Sequence, residues 1–439
     1  MAQRSIREFE GKRIFHDNWF RHFGQFQYAF HSASVATGDE LRELSDTEEY
    51  DWLKQGPLVV KPDMIFGKRG LNGLVYYQVD NPGDVMLDDA ARWIDEKRSH
   101  TTQLRSGQTG TLSRFIIEPF VAHDSDTEYY IAATMDDTTD VLSMSAKGGV
   151  NIEENWDSVR QIEIPPNLEG EALAELIRTN VPDDVPDKDT FALFATDFYR
   201  FFRDMHFTYL EINPFYISDD EVHLLDLVAK VDDTAGFLMD KRWGHLYFPT
   251  PFGMKAPGQE ENAIKEADEN SGASLKLTVL NPAGRVWTLV AGGGASVVFA
   301  DTIADLIGVD ELANYGEYSG NPTTQETFFY TRTLLDLMTR NSDPQGREKI
   351  LIIGGAIANF TDVAKTFTGI IQAFEEYHQK MKAVGVRIYV RRGGPNYELG
   401  LRNIRKAADR LGLRIEVYGP ETHMTDIVRM ALTAQESAR

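Results

Sequence analysis

The C-terminal part of the chain alternates strand-like and helix-like segments, and this alternation restricts the fold more than any other feature. Lys349–Gly355 and Val386–Arg391 are apolar runs rich in β-branched residues, and a third run covers residues 413–418. Helical periodicity connects the three runs, and a last helix is predicted from near Thr422. Strands that alternate with helices form a parallel, doubly wound α/β sheet, which binds ligands at the carboxyl ends of its strands.

Two of these strands end in glycine-rich loops with polar or basic residues. Gly354 and Gly355 precede Asn359 and Thr361, and Arg391-Arg392 precedes a second Gly-Gly pair. Amides at helix starts bind phosphate or carboxylate groups, and paired guanidinium groups clamp carboxylates. A third glycine loop, residues 291–296, could close over the same ligand. Tight helix–strand packing is an equally common use of Gly-Gly, and the two arginines favour the anion-binding interpretation.

A predicted β-hairpin earlier in the chain brings carboxylate and amide oxygens together. Its first strand contains Glu211 and Asn213, and Asp226 lies between two leucines in the second, beyond a polar turn at 218–221. With a side-chain period of two, Glu211 and Asn213 share one face and Asp226 can oppose them. Such oxygens suit Mg²⁺ held against nucleotide phosphates, whereas scattered acids on a solvated hairpin are the alternative.

A strand that ends at Lys61 and Pro62 leads into a glycine-rich basic loop, residues 66–73. Backbone amides and basic side chains of such a loop can cover phosphates, although a solvated turn has the same composition. Residues 114–121 predict another buried strand, which either contacts an adenine base or belongs to a core.

Other local patterns predict a helix, a hairpin and a domain boundary. Residues 5–8 fit the capping box of a short helix that stops at Gly11. Residues 275–280 and 285–290, joined by an Asn-Pro-Ala-Gly turn, fit a hairpin. Residues 240–272 lack sustained periodicity, and we place the main domain boundary there.

The charge balance excludes several classes of partner. The chain has 45 basic and 68 acidic residues and a net charge of −23, so we expect no nucleic acid and no membrane as partners. It contains no cysteine, which excludes disulfides and thiol chemistry and fits a cytoplasmic location. We predict no signal peptide or membrane span. None of the ten histidines lies in a setting typical of a phosphorylated or general-base imidazole.

Several long sequence blocks together resemble the ATP-citrate lyase family. They are residues 58–63, 207–214, 225–232, 271–278, 287–298, 311–320 and 390–397. The resemblance is to the portion of that family that is similar to the β-subunit of succinyl-CoA synthetase, and it extends over nearly the whole chain.

The resemblance implies an ATP-grasp fold followed by a flavodoxin-like domain that binds citrate. We assign residues 1–245 to the former, 246–275 to a linker and metal-contacting stretch, and 276–439 to the latter. The implied ATP or ADP contacts are Lys61, Arg69, Gly70, Pro119, Val121 and Glu128. The implied Mg²⁺ contacts are Asn213, Asp226, Asp268, Ser271 and Ala273. The implied citrate contacts are Gly320, Asn359, Thr361, Tyr377 and Arg392.

The expected function is that of the ATP- and citrate-binding subunit of an ATP-citrate lyase, which converts citrate, ATP and CoA into oxaloacetate, acetyl-CoA, ADP and phosphate. The family's phosphorylated histidine, main CoA site and citryl-CoA lyase module lie outside this portion, so the resemblance implies a partner subunit and a hetero-oligomer. By itself the chain should bind Mg·ADP and citrate without turnover. The alternatives are the large subunit of citryl-CoA synthetase, a ligase of the succinyl-CoA type, for which the two arginines give less reason, and a non-catalytic structural subunit.

Overall fold

The chain divides between Lys255 and Ala256 into two structural units, each with its own sheet and core. The computed structural model describes residues 3–77, 85–136, 138–149, 152, 156–218, 220–254 and 257–433. The predicted turn at 218–221 contains a residue outside these ranges, Asp219. Within the described ranges, no helix has the length and apolar character that crossing a membrane requires.

The first unit consists mainly of antiparallel strands with helices packed on them. Its strands are β1 (Gln3–Ile6), β2 (Ala33–Val35), β3 (Leu58–Pro62), β4 (Thr101–Gln103), β5 (Thr109–Thr111), β6 (Phe115–Pro119), β7 (Tyr129–Met135), β8 (Asp140–Ser145), β9 (Arg160–Ile164), β10 (Phe207–Ser218), β11 (Glu221–Leu224) and β12 (Leu227–Asp232). Its helices are α1 (Glu8–His22), α2 (Gly38–Ser45), α3 (Leu87–Arg98), α4 (Gly170–Thr179), α5 (Lys188–Asp204) and α6 (Gly236–Trp243).

An aromatic face of α5 holds that helix on the large sheet, whose order is β1-β12-β10-β7-β8-β9 with β11 beside β10. Phenylalanines recur on α5 at spacings of three and four, which gives the helix one apolar face. They are Phe191, Phe194, Phe198 and Phe201, all buried. The alternation of β10 places Leu210 and Ile212 in the same core. Glu211 and Asn213 therefore lie on the opposite face of the sheet, as the sequence predicts.

A smaller sheet, of order β2-β6-β3, forms a second core of the first unit together with α2 and α3. Strand β3 is antiparallel to β6, and Lys61 lies opposite Ile116. The predicted strands at 58–62 and 114–121 are both confirmed.

The second unit has a parallel sheet. Its strands are β13 (Ser274–Val279), β14 (Val286–Ala291), β15 (Asn314–Ser319), β16 (Lys349–Gly355), β17 (Val386–Arg391) and β18 (Arg414–Tyr418). Its helices are α7 (Gln259–Glu269), α8 (Gly293–Ile307), α9 (Thr324–Thr339), α10 (Val363–Ala383), α11 (Tyr397–Leu411) and α12 (Asp426–Thr433). Strands β14, β16, β17 and β18 pair in parallel in that order. Buried residues of α9, α10 and α11 cover one face, and those of α8 and α12 cover the other, so the predicted doubly wound sheet is confirmed.

The side chain of Asn314 attaches β15 to the free edge of β14. Its Nδ2 donates to Thr288 O at 2.9 Å, and its Oδ1 accepts from Thr288 N at 2.8 Å. A parallel bridge between Val286 and Leu312 continues the contact. With β15 included, the order β15-β14-β16-β17-β18 corresponds to 2-1-3-4-5, the flavodoxin-like order, whose switch point lies between β14 and β16.

The predicted N-terminal helix is wrong in its bounds. Ser5 and Ile6 belong to β1, and α1 runs from Glu8 through Gly11 to His22. A Cβ atom at position 11 would overlap the side chain of Leu227 on β12. Gly11 therefore permits close packing of the helix on the sheet instead of ending the helix.

The predicted hairpin of residues 275–290 does not form, although its turn does. Gly284 N donates to Asn281 O at 2.9 Å, yet β13 pairs with β15 and β14 pairs with β16. Every residue of β14 is buried, as expected for a strand in a sheet that helices cover on both faces, whereas β13 alternates between buried and exposed residues.

Residues assigned to the linker contain regular structure. Helix α7 buries Ile264 in the core of the second unit, which begins at Ala256. The segment has a capping interaction between Glu261 and Gly258 N at 2.6 Å but few large apolar residues, so its periodicity is weak.

Asn314→Ala should destabilise the second unit, because it leaves a buried amide and a buried carbonyl of Thr288 without partners. Each such group costs about 1–3 kcal/mol, so we expect the free energy of unfolding to fall by about 2–5 kcal/mol. Urea denaturation followed by circular dichroism measures the change. Asn262→Ala, at an exposed position of α7, is the matched control, and an equal effect of both substitutions would refute the bridging role.

Candidate functional site

A cavity of about 1160 Å³ lies in the first unit, beside the polar face of β10. Every residue predicted to contact nucleotide lines it, and so do Asn213 and Asp226. The nucleotide set is Lys61, Arg69, Gly70, Pro119, Val121 and Glu128. Aromatic and aliphatic side chains, among them Tyr28, Phe66 and Phe120, complete the wall. The cavity therefore joins an apolar surface to a charged one, as a nucleotide site requires.

The buried carboxylate of Glu8 organises the charged part of this cavity. Its Oε1 atom lies 2.7 Å from Lys61 Nζ and 2.8 Å from Lys12 Nζ, and its Oε2 atom lies 2.6 Å from Arg69 Nη2. Burial alone raises the pKa of Glu8, but these three cations hold it well below its usual range. Lys12 also pairs with Glu118 at 2.7 Å. Charges of alternating sign thus neutralise each other inside the wall.

Lys61 lies at the end of β3 and directs its ammonium group to protein acceptors. Nζ donates to Glu8 Oε1 at 2.7 Å and to Leu225 O at 2.7 Å, and lies 3.1 Å from Glu118 Oε2. The side chain is 4% exposed. Lys61 therefore supplies fixed positive charge to the wall.

Arg69 connects the basic loop to the acidic residues of the hairpin. Its Nη1 donates to Pro62 O at 3.1 Å, and its Nη2 pairs with both Glu8 and Asp226. Burial alone lowers the pKa of Arg69, and the carboxylates of Asp226 and Glu8 raise it overall. Arg69 thus connects the basic loop, which is predicted to bind phosphates, to Asp226, which is predicted to bind the metal.

The oxygens of the hairpin fit a divalent cation that shares its coordination with a nucleotide. Asn213 Oδ1 accepts from Gly149 N at 2.7 Å, and the Asp226 side chain is 32% exposed. Within the described residues, no three His, Asp or Glu side chains form a metal-binding group. Mg²⁺ usually takes one or two carboxylates and completes its shell with phosphates and water, so a small donor set is what it requires.

Asp63, next to Lys61 and Pro62, is almost completely buried. Its Oδ1 accepts from Glu8 N at 2.9 Å. Burial, followed by the nearby charge of Glu8, raises the pKa of the Asp63 carboxyl to about 7. Asp63 therefore takes up a proton as the pH falls through about 7, and this proton reduces the negative charge of the cluster.

Glu128 has a partner that the sequence does not indicate. His123 Nε2 lies 2.9 Å from Glu128 Oε1, and the imidazole ring stacks on Tyr216 with centroids 4.9 Å apart. His123 lines the same cavity. Since His123 lies in an irregular segment, no periodicity marks it.

Four acidic or basic residues of the site were missed by sequence analysis: Glu8, Lys12, Asp63 and Glu118. The spacing of Glu8 and Lys12 is i,i+4, which is a helical ion-pair spacing. A helix continued past Gly11 would have placed both on one face. No local sequence pattern indicates the role of Asp63 or Glu118, because their partners are distant in sequence.

The carboxyl edge of the parallel sheet collects the predicted citrate residues other than Tyr377. Gly320 follows β15, Asn359 and Thr361 follow β16, and Arg392 follows β17. Asn359 is exposed. The loop after β16 is fixed to the loop after β17, since Ala358 N donates to Gly393 O at 3.0 Å.

The two adjacent arginines have different roles. Arg391 donates to three backbone carbonyls, those of Thr422 at 2.8 Å, Gly355 at 2.9 Å and Pro420 at 3.2 Å. Arg392 donates from Nη1 to Ala356 O, and within the described part of the chain it has no carboxylate partner. Burial lowers the pKa of Arg392. Arg391 thus holds the loops together, and Arg392 keeps donors for an anion.

The predicted anion-binding helix start after β16 is corrected by the structure. Helix α10 begins at Val363, and the Asp362 side chain caps it by accepting from Lys365 N at 2.9 Å. A carboxylate of the protein therefore already occupies that helix end. Helix α8, by contrast, starts at Gly293 without a side-chain cap.

Tyr377 does not lie with the other predicted citrate residues. It is fourteen residues beyond Val363 on α10, which is about 21 Å along the axis at 1.5 Å per residue. Its hydroxyl donates to Asp336 Oδ1 at 3.1 Å, in a cleft formed with α7 and α9. The family resemblance gives positions along the sequence only, so it does not show that the length of α10 separates Tyr377 from the carboxyl edge of the sheet.

The predicted metal-contacting stretch belongs to the second unit. Asp268 accepts from Leu275 N at 2.7 Å and pairs with Lys276. Ser271 donates to Glu326 Oε1 at 2.6 Å and accepts from Ala273 N at 2.9 Å. Contacts of Asp268, Ser271 and Ala273 with a metal remain a prediction.

Comparison with known proteins gives a consistent set of relatives. Residues 2–243 match the family described as the ATP-citrate synthase ATP-grasp domain, and residues 255–434 match the ATP citrate lyase citrate-binding family. An Arabidopsis thaliana ATP-citrate synthase alpha chain is 44% identical, with 98% of each chain covered. A probable ATP-citrate synthase of Caenorhabditis elegans is 43% identical, and the present chain spans 39% of its length. The structure of ATP citrate lyase from Methanothrix soehngenii, in complex with citrate and coenzyme A, is 47% identical with a TM-score of 0.87, and the match covers 98% of this chain and all of that one.

Asp63→Asn tests the buried proton. A carboxyl pKa raised from about 3.9 to about 7 means that the folded protein retains a proton that the unfolded chain releases. The stability from this proton is complete below about pH 4 and is lost as the pH rises to 7. The free energy of unfolding of Asp63→Asn, minus that of the wild type, should therefore increase between pH 4 and 7 and then level off. Asp39→Asn, at a side chain 86% exposed, should show no such slope, and a flat difference for Asp63→Asn would contradict the assignment.

Proposed function

The chain belongs to the ATP-citrate lyase family, and we propose that it is the ATP- and citrate-binding subunit of such an enzyme. The reaction is citrate + ATP + CoA → oxaloacetate + acetyl-CoA + ADP + phosphate. The observation that carries the proposal is the cavity of the first unit, whose wall combines an apolar surface with Lys61, Arg69 and the oxygens of Asn213 and Asp226.

The nucleotide is proposed to lie in this cavity with its base on the apolar side, near Pro119 and Val121. Its phosphates would lie near Gly70 and beside Arg69 and Lys61, and the positive charges of these two side chains offset the negative charges of the phosphates. Asn213 and Asp226 would hold Mg²⁺, which neutralises phosphate charge when it is bound. Glu128, which lines the same cavity, is suited to accept hydrogen bonds from ribose hydroxyls.

Citrate is proposed to bind at the carboxyl edge of the parallel sheet, between the loops that carry Gly320, Asn359, Thr361 and Arg392. Three features support this: Arg392 has no carboxylate partner in the described chain, helix α8 starts without a side-chain cap, and the switch point of the sheet lies here. Tyr377 is left out of this proposal because of its position on α10.

The chemistry beyond these two sites is proposed to need a partner subunit. The Arabidopsis alpha chain, a separate polypeptide, is matched over 98% of its length, whereas the Homo sapiens ATP-citrate synthase is matched over only 38%. A chain of this extent fits a two-subunit enzyme, whose partner would carry a phosphorylated histidine, the main CoA site and the citryl-CoA lyase module. Several copies of each chain would then form a hetero-oligomer in the cytoplasm.

In the proposed mechanism this chain positions and neutralises reactants. Lys61 and Arg69 hold the triphosphate so that its terminal group faces the partner's histidine, and Glu8 keeps both cations in place. The terminal phosphoryl group would pass to that histidine as ADP leaves, and then from the histidine to one carboxylate of citrate while Arg392 holds another. The resulting acyl phosphate reacts with CoA, with phosphate as the leaving group. Positioning and charge neutralisation supply most of the rate in phosphoryl transfer generally.

Asp226→Asn should weaken Mg·ADP binding, because it removes the charged metal donor while preserving side-chain size. We expect at least a tenfold loss of Mg·ADP affinity by isothermal titration calorimetry, with little change in citrate affinity. Asp220→Asn, an acid of the same hairpin that is absent from the cavity wall, is the matched control. Mg·ADP affinity within a few-fold of wild type would remove the hairpin from the site.

Arg392→Ala should weaken citrate binding by roughly 30-fold or more, since a desolvated guanidinium–carboxylate pair contributes on the order of 2–5 kcal/mol. Arg392→Lys should recover part of the loss, because an ammonium keeps the charge and loses the planar fork. Calorimetric titration with citrate measures both variants, and Mg·ADP affinity should stay unchanged. Arg402→Ala, on the exposed face of α11, is the control. If citrate binds equally to all variants, the citrate site lies elsewhere.

A further inference from the structure

The carboxylate proposed to hold the metal already has a cation beside it. Asp226 Oδ1 accepts from Arg69 Nη2, and the same nitrogen lies 2.6 Å from Glu8 Oε2. The Arg69 side chain is 7% exposed and that of Asp226 is 32% exposed. The guanidinium is therefore enclosed in the wall, and the carboxylate is open to the cavity.

Two further carboxyl groups, those of Glu8 and Asp63, lie near Arg69. Glu8 faces it from α1, and Asp63 also raises the pKa of Arg69. Lys61 is directed to Glu8, Glu118 and Leu225 O, so it does not compete for Asp226. Arg69 is thus the cation that balances Asp226 in the protein without nucleotide.

We propose that Arg69 holds the place of the metal at Asp226, so that metal and nucleotide bind together and the metal does not bind first. This inference rests on the proposed function of the cavity. A divalent ion arriving alone would have to break the Arg69–Asp226 pair and would then lie beside a buried guanidinium of like charge. A nucleotide removes this obstacle, because its phosphates give Arg69 a new anionic partner while Asp226 turns to the metal.

Glu8 limits the movement that this exchange requires. Its Oε2 atom pairs with Arg69 independently of Asp226. Glu8 is itself held in place, because it is the first residue of α1 and its backbone N donates to Asp63 Oδ1. Arg69 can therefore change one partner while it keeps the other. A coupling of this kind between two ligands is commonly 5- to 150-fold in affinity.

Binding of Mn²⁺ without nucleotide, measured by electron paramagnetic resonance, tests the inference on the full chain. Arg69→Met frees Asp226, so Mn²⁺ should bind this variant at least fivefold more tightly than the wild type. The double variant Arg69→Met/Asp226→Asn should lose the gain. Arg203→Met breaks an ion pair of 3.0 Å with another buried carboxylate, Asp140, away from the cavity, and should leave Mn²⁺ binding unchanged.

Equal Mn²⁺ affinity of folded Arg69→Met and wild type would overturn the inference. If Arg69→Met does not fold, wild type and Asp226→Asn decide the question. They should bind Mn²⁺ equally weakly without nucleotide and differ once ADP is present. Tighter nucleotide-free binding by the wild type would overturn the inference. Failure of the wild type to bind Mg·ADP at all is a separate result, which would overturn the proposed function instead.

Discussion

The first unit depends on one buried carboxylate. Glu8 brings three cations from separate elements together, and each of them would be costly to bury without an anionic partner. Because Lys12, Lys61 and Arg69 come from a helix, a strand and a loop, their common partner also fixes those elements relative to one another. The rigidity of the charged wall is thus a consequence of electrostatic neutralisation, and the same arrangement holds its basic side chains in fixed positions.

The overall charge of the chain makes these local cations necessary. A net charge of −23 repels both nucleotide and citrate on average. Buried guanidinium groups act against this repulsion locally at two places, at Arg69 in the first unit, where it is paired with Glu8 and Asp226, and at Arg392 in the second. Burial strengthens each local interaction, since the surrounding dielectric is lower than that of water. In both places the ligand is proposed to meet a guanidinium whose surroundings are already ordered.

In the second unit, the order of the strands brings the loops of the proposed citrate site to one edge of the sheet. Asn314 connects β15 to β14 with side-chain hydrogen bonds that imitate a backbone ladder. This contact completes the 2-1-3-4-5 order and brings the loop of Gly320 to the edge that carries Arg392. Arg391, by donating to carbonyls of neighbouring loops, holds that edge together. Arg391 is the last residue of β17 and Arg392 lies just beyond it, and the two guanidinium groups donate to different backbone carbonyls.

The sequence by itself determined the parallel sheet of the second unit, the shared face of Glu211 and Asn213, and the segments that line the cavity, because hydrophobic periodicity and glycine-rich strand ends are local properties. Only the tertiary structure decided the rest. It paired β13 with β15 and capped α10 with Asp362. It separated Tyr377 from the citrate edge and gathered the charges around Glu8. The pairing of β13 with β15 and the charges around Glu8 depend on contacts between residues that are distant along the chain, which no local pattern encodes. The cap and the position of Tyr377 depend on the residue at which α10 begins and on the length of that helix.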